Sequence, residues 1–148
     1  MENIFRLKDG ITTIRVNNKN ITHFTIPNGV TTIGYEAFCG CSALQSVDIP
    51  NSVTTIDSGA FSACLSLHYI DIPDSVTTIK NEAFAYCLAL RSISIHIVDI
   101  ENANIDERAF EGVNTDNCVL YIPPGTRWAY RHHPVFGKFK NIEIDKQD

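Results

Sequence analysis

Between Ile26 and Ser94 the chain states one 23-residue pattern three times in register: IPNGVTTIGYEAFCGCSALQSVD, IPNSVTTIDSGAFSACLSLHYID and IPDSVTTIKNEAFAYCLALRSIS. The constant positions are Ile-Pro (26/27, 49/50, 72/73), Val-Thr-Thr-Ile (30–33, 53–56, 76–79), Ala-Phe (37/38, 60/61, 83/84), Cys (41, 64, 87) and Leu (44, 67, 90). Self-similarity at a fixed period of this length specifies a stack of equivalent coils. One copy alone buries too little apolar surface to offset the entropy of ordering its backbone. Stacked copies place like strands about 4.8 Å apart and gain stability from neighbour to neighbour.

The tail of each copy, Leu44-x-x-Val47-x-Ile49, Leu67-x-x-Ile70-x-Ile72 and Leu90-x-x-Ile93-x-Ile95, has the L-x-x-L-x-L form of a leucine-rich repeat strand. Taken with the Ile-Pro, Val-Thr-Thr-Ile and Ala-Phe-x-x-Cys elements, this closely resembles the BspA-like leucine-rich repeat, over roughly residues 10 to 144. That class is best known from surface proteins of gut and oral anaerobic bacteria. The resemblance implies a leucine-rich repeat solenoid: a right-handed, curved, mainly β stack of parallel strands with short helical turns, binding macromolecules without catalysis.

The expected organisation is a single domain over 1–148, with a worn first copy at 1–25, three regular repeats at 26–94, an irregular repeat at 95–117 and a C-terminal cap at 118–148. Gly10 to Ile14 echoes Gly29 to Ile33, and Arg6, Lys8 and Asp9 are expected to protect the open N-terminal strand edge. Each Pro after a strand ends pairing and turns the chain, while Ala-Phe to Cys has the spacing of a short helical turn. In the fourth copy, insertions place loops within Ile97 to Arg108 and at Asn114 to Asn117, and such loops can add specificity. The cap reads as a strand from Val119, a short helix over Arg127 to His133 stopped by Pro134, and a last extended segment carrying Phe136, Phe139, Ile142 and Ile144. Trp128 and Tyr130 are expected to pack over the exposed end of the core.

Composition narrows the functional class. A net charge of −5 removes the electrostatic term that drives nucleic-acid affinity, so nucleic acid is not an expected partner. No stretch approaches the roughly 18 continuous apolar residues of a membrane span, and membrane insertion is not expected. MENIFRLKDG lacks a basic segment followed by an apolar run. The chain is therefore cytoplasmic if Met1 is the native start, and secreted or surface-bound if a signal peptide has been removed.

Five cysteines form no C-x-x-C pair, and an odd count argues against a disulfide framework. Cys41, Cys64 and Cys87 share one repeat position and are expected as a ladder of small buried hydrophobes; Cys39, at a variable position, is the expected exposed thiol. The adjacent His132 and His133 do not share a helix face and make a poor chelate. No metal, cofactor or catalytic residue is assigned, for H-E-x-x-H, G-x-S-x-G and glycine-rich phosphate loops are all missing from the sequence.

Residues between the buried strand positions face outward, giving one column of His23, Ser46, Tyr69, Ser92 and another of Thr25, Asp48, Asp71, Ser94, flanked by Gln45, His68 and Arg91. In leucine-rich repeat folds this is the concave face. Asp48 and Asp71 should neighbour one another; an open sheet offers no dry pocket to separate their pKa values for acid–base work. A partner's Lys or Arg suits them better, and Tyr69 is an aromatic anchor of the kind that dominates interfaces. The expected function is non-enzymatic binding of a protein partner at Asp48, Tyr69 and Asp71, with His68, Arg91 and His23 beside them. The rival readings are an adhesin fragment binding host surface proteins, matrix or glycans, and a self-assembling module joined through solenoid ends; a monomer is the expected state.

Overall fold

The protein was described from a computed structural model, covering residues 4–6, 12–14, 16 and 18–146. Lys8 and Asp9, expected at the N-terminal edge, lie outside the described residues.

Every coil contributes one strand to each of two walls. The Val-Thr-Thr-Ile segments supply the centre of a six-stranded sheet: β1 (Ile4–Arg6), β2 (Thr12–Ile14), β4 (Thr32–Ile33), β6 (Thr55–Ile56), β8 (Thr78–Ile79) and β10 (Asn104–Ile105). Its register is exact to the repeat, Thr32 facing Thr55 and Thr55 facing Thr78. Two threonine hydroxyls reach the backbone of the preceding coil, Thr54 Oγ1 donating to Thr31 O at 3.3 Å and Thr77 Oγ1 to Thr54 O at 3.4 Å. At the N-terminal end β1 runs antiparallel to β2 and covers the sheet's first strand.

The opposite wall holds the L-x-x-L-x-L strands: β3 (His23–Thr25), β5 (Ser46–Asp48), β7 (Tyr69–Ile72), β9 (Ser92–Ile95), β11 (Val119–Ile122) and β12 (Asn141–Ile144). All the pairs in this wall are parallel, but the ladder breaks between β5 and β7, leaving a two-stranded and a four-stranded sheet side by side. Pairing coil by coil, β2 with β3 through β10 with β11, gives a parallel β-solenoid of about five turns with very little helix.

Between the walls the repeated apolar residues form continuous ladders. Phe38, Phe61, Phe84 and Phe110 stack face to face, with centroids 4.9, 5.1 and 5.0 Å apart. Phe24 closes one end edge-on, and Phe136 and Phe139 close the other. Cys41, Cys64 and Cys87 are fully buried, as expected, and the thiols of Cys64 and Cys87 donate to Phe38 O and Phe61 O in the preceding coils, each at 3.2 Å.

The Ala-Phe to Cys segment runs as successive turns, not as a continuous helix. Within a coil, alternate N–H groups close three-residue turns, as Ala60 N does on Asp57 O at 3.2 Å. The N–H groups between them leave the coil: Phe38 N donates to Ala60 O and Phe61 N to Ala83 O, each at 2.7 Å. Residues with positive φ recur at two repeat positions, 36/59/82 and 40/63/86/112, and each rotates a peptide outward before a helical turn can propagate. Glycine removes that strain at Gly59 and Gly40, whereas Glu36, Glu82, Ala63 and Tyr86 adopt it with a side chain.

At the C-terminal end, α1 (Arg127–Arg131) carries Tyr130 into the core, where its hydroxyl donates to Ile97 O at 2.7 Å. Trp128 contradicts the expectation set for it. Two residues from Tyr130 it lies on the far side of the helix, is 67% exposed, and stacks on His132 one turn later with centroids 4.1 Å apart. Tyr130 and the two phenylalanines already fill the core end, so Trp128 has no apolar seat there.

Candidate functional site

The outward positions of the long-strand wall pair in register on either side of the β5–β7 break, and the pairing on the C-terminal side extends into the cap. His23 pairs with Ser46, Tyr69 with Ser92, Ser92 with Val119, and Val119 with Asn141. In the second column Thr25 pairs with Asp48, Asp71 with Ser94, Ser94 with Tyr121, and Tyr121 with Glu143. Alternation alone shows Glu143 facing outward from an Ile142-x-Ile144 strand, but only the pairing with β11 places it in line with Asp71.

Asp48 and Asp71 are held from opposite sides. Asp48 Oδ2 lies 3.2 Å from His23 Nε2 and accepts from Thr25 Oγ1 at 3.2 Å, both groups on β3. Asp71 Oδ1 lies 2.6 Å from Nε2 of His96, just past the end of β9, whose Nδ1 is 3.9 Å from Asp145 Oδ2 in the cap. Each carboxylate has its own imidazole partner.

His96 is the residue that sequence reasoning passed over. It stands where Pro27, Pro50, Pro73 and Pro123 follow the other strands, and that break in a constant Ile-Pro pair was its visible signal. Unlike proline it has an N–H, which donates to Ile72 O at 2.9 Å and carries the β7–β9 pairing one residue further. Its side chain, 26% exposed, borders an open depression of about 340 Å³ lined by Ile49, Asn51, Asp71, Pro73 and Asp74.

Tyr69 is 41% exposed on β7. Partial burial raises the pKa of its phenol, and hydrogen bonding to Ser94 acts in the opposite direction. His68 and Arg91 are exposed at the rim, one residue before their strands, and are joined through backbone by Arg91 N donating to His68 O at 2.9 Å. Four of the six expected site residues therefore form two groups on one wall, His23 with Asp48 and Tyr69 with Asp71, and His68 and Arg91 stand apart at the rim.

His23 Nδ1 also lies 2.6 Å from Ser46 Oγ, so serine, imidazole and carboxylate stand in sequence across β3 and β5. The supporting chemistry of a nucleophile is not built around them. Asp48 is 68% exposed, and the Ser46 N–H donates to Thr22 O at 3.4 Å instead of facing a developing oxyanion. Among the described residues, no group of three or more His, Cys, Asp or Glu side chains is placed to hold a metal ion, and no helix is long and apolar enough to cross a membrane.

All five cysteine thiols have a raised pKa, with burial the largest cause. Burial pushes the Cys87 and Cys118 thiols up to about 12 and raises Cys64 further still; Cys39, half-buried, is raised by desolvation and then by nearby Glu36.

A family model described as the BspA type leucine-rich repeat region matches residues 10–123 in six copies. The chain belongs to the BspA-type leucine-rich repeat family. Its fold matches a leucine-rich repeat protein from Bacteroides ovatus at TM-score 0.60 and 24% identity, over 97% of this chain and 40% of that one. A leucine-rich cell surface protein from Faecalibacterium prausnitzii matches at TM-score 0.50 and 23% identity over 97% and 38%, and the pneumococcal vaccine antigen PcpA at 0.55 and 14% over 99% and 48%. The chain thus spans less than half the length of each of these proteins. No curated protein sequence matches it. A BspA-type repeat fold suggests a protein-interaction module, and such folds are typically non-enzymatic.

Proposed function

We propose that the domain binds a protein partner through the long-strand wall, the concave side of a leucine-rich repeat, centred on Asp48, Tyr69 and Asp71 with His23, His68 and Arg91 at the margin. The observation that carries this reading is Tyr69. It is a large aromatic side chain, 41% exposed, on the strand that also presents Asp71. A rigid aromatic beside charged groups supplies the anchor and the orienting contacts of an interface.

The test is affinity capture from the native cells with the wild type and with an Asp48→Ala, Tyr69→Ala, Asp71→Ala variant, alongside a Tyr35→Ala control. Tyr35 is 57% exposed and lies outside this wall. A partner kept by the wild type and the control but lost by the triple variant supports the assignment. Equal retention by all three, with circular dichroism showing each folded, would remove it.

A further inference from the structure

We infer that the strand wall accepts an extended basic segment laid across the strands, with Lys or Arg side chains four residues apart. This deepens the concave-face reading and rests on it. The outward positions of the six strands hold Asp48, Asp71 and Glu143, with Asp145 directly after β12, and hold no Lys or Arg. Arg91 stands at the margin, one residue before β9, and Lys146 lines the far end past β12, while several other basic residues are committed: Lys80 to Asp57 at 3.8 Å, Arg108 to Glu111 at 2.7 Å, Lys140 to Asp116 at 3.3 Å and Arg127 to Ile142 O at 3.1 Å. Strand positions that carry only acidic charge attract the opposite sign and orient it on approach.

Spacing makes the inference specific. Asp71, Ser94, Tyr121 and Glu143 are successive partners in one register column. Three strand steps of about 4.8 Å put Glu143 about 14 Å from Asp71 along the stack. An extended chain rises about 3.3 Å per residue, so it covers that span in about four residues, and positions i and i+4 then face the same way. One cation meets Asp71, with Asp48 alongside, and the other meets Glu143 and Asp145. Of the three residues between them, the middle one faces the wall over Ser94 and Tyr121. Asp71 is 50% exposed and Glu143 is exposed, so both can be reached without rearrangement. At the Glu143 end the wall opens into a depression of about 630 Å³.

The experiment uses fluorescein-labelled peptides of Gly, Ser and Thr with two Arg residues at i and i+4, at i and i+1, or replaced by Glu, titrated against the full chain by anisotropy at low and high salt. The i,i+4 peptide is expected to bind most tightly and to weaken with salt, and the Glu peptide is expected not to bind. Asp71→Asn and Glu143→Gln should each weaken the i,i+4 peptide about two- to fivefold, the effect of one exposed ion pair. The i,i+1 peptide should be indifferent to Glu143→Gln if it is seated at Asp71. Equal affinity for both spacings, or no response to either substitution, would overturn the inference. Capture of the native partner lost in the Asp48, Tyr69, Asp71 variant together with no binding of the i,i+4 peptide would sink the basic-segment chemistry and leave the concave-face reading standing. Capture retained by that variant would sink the concave-face reading itself, whatever the peptides do.

Discussion

His96 Nε2 sits 2.6 Å from Asp71 Oδ1, and this contact exists because His96 holds a position that proline fills after four other strands. Two separate interactions are involved. The side chain joins β7 to the cap through Asp71 and Asp145, while the N–H pairs with the carbonyl of fully buried Ile72. His96→Ala removes a part-exposed side-chain contact to Asp71 and should cost about 0.5 to 1.5 kcal/mol, the range of a single hydrogen bond. His96→Pro also strands the Ile72 carbonyl, a further cost of about 1 to 3 kcal/mol, which outweighs the roughly 0.4 to 1 kcal/mol a proline returns through the unfolded chain. Denaturant titration of the two variants should therefore rank proline below alanine, and the reverse order would deny the N–H its role.

Phe61 lies in the interior of the aromatic stack, between Phe38 and Phe84. Phe61→Ala should cost about 3 to 5 kcal/mol, a large share of the 5 to 15 kcal/mol typical of a domain. Phe24→Ala should cost less, because Phe24 is only partly buried and meets a single ring edge-on. Thermal or chemical denaturation of both variants compares interior with end; equal losses would show that the stack does not propagate stability.

Thiol titration separates the cysteines. With Ellman's reagent at mild alkaline pH, Cys39 should react first and slowly, since desolvation and Glu36 hold its thiol protonated. Cys41, Cys64, Cys87 and Cys118 are buried and should react only on unfolding, and Cys39→Ser should abolish the native-state reaction.

His133 makes cap stability depend on pH. Its Nδ1 accepts from Val135 N at 3.0 Å and from Phe136 N at 3.4 Å, so the folded cap needs that nitrogen unprotonated, and burial lowers its pKa from 6.5. As pH falls through 6.5 the unfolded chain takes up the proton first, so the folded state loses relative stability until the lowered native pKa is passed. Melting temperatures between pH 7.5 and 5 should fall more steeply for the wild type than for His133→Asn, whose side-chain oxygen can accept the same two N–H groups without titrating. Parallel profiles would refute the assignment.

Much of the architecture was legible because the repeat makes each position argue for its equivalents. Register, inward residues and the cysteine and phenylalanine ladders follow from a constant spacing. The sequence was less informative where the backbone leaves the commonest conformations. Ala-Phe to Cys has helical spacing, but positive φ at Glu36, Ala63, Glu82 and Tyr86 turns alternate peptides outward, and these are not residues that announce that geometry. The antiparallel pairing of β1 with β2 likewise has no counterpart in the repeat.

The candidate site divides in the same way. The outward columns containing Asp48, Tyr69 and Asp71 were readable from period-two alternation within a repeated strand. Which groups hold those carboxylates was not, because His96 and Asp145 come from an irregular coil and a cap whose register no repeat specifies. Sequence alone determined the coil, its core and the side of each strand that faces out, since these depend on local period and side-chain chemistry. Tertiary structure alone decided that His23 serves Asp48, that His96 serves Asp71 and that Glu143 joins the column of Asp71, since these depend on which distant strands hydrogen-bond to one another.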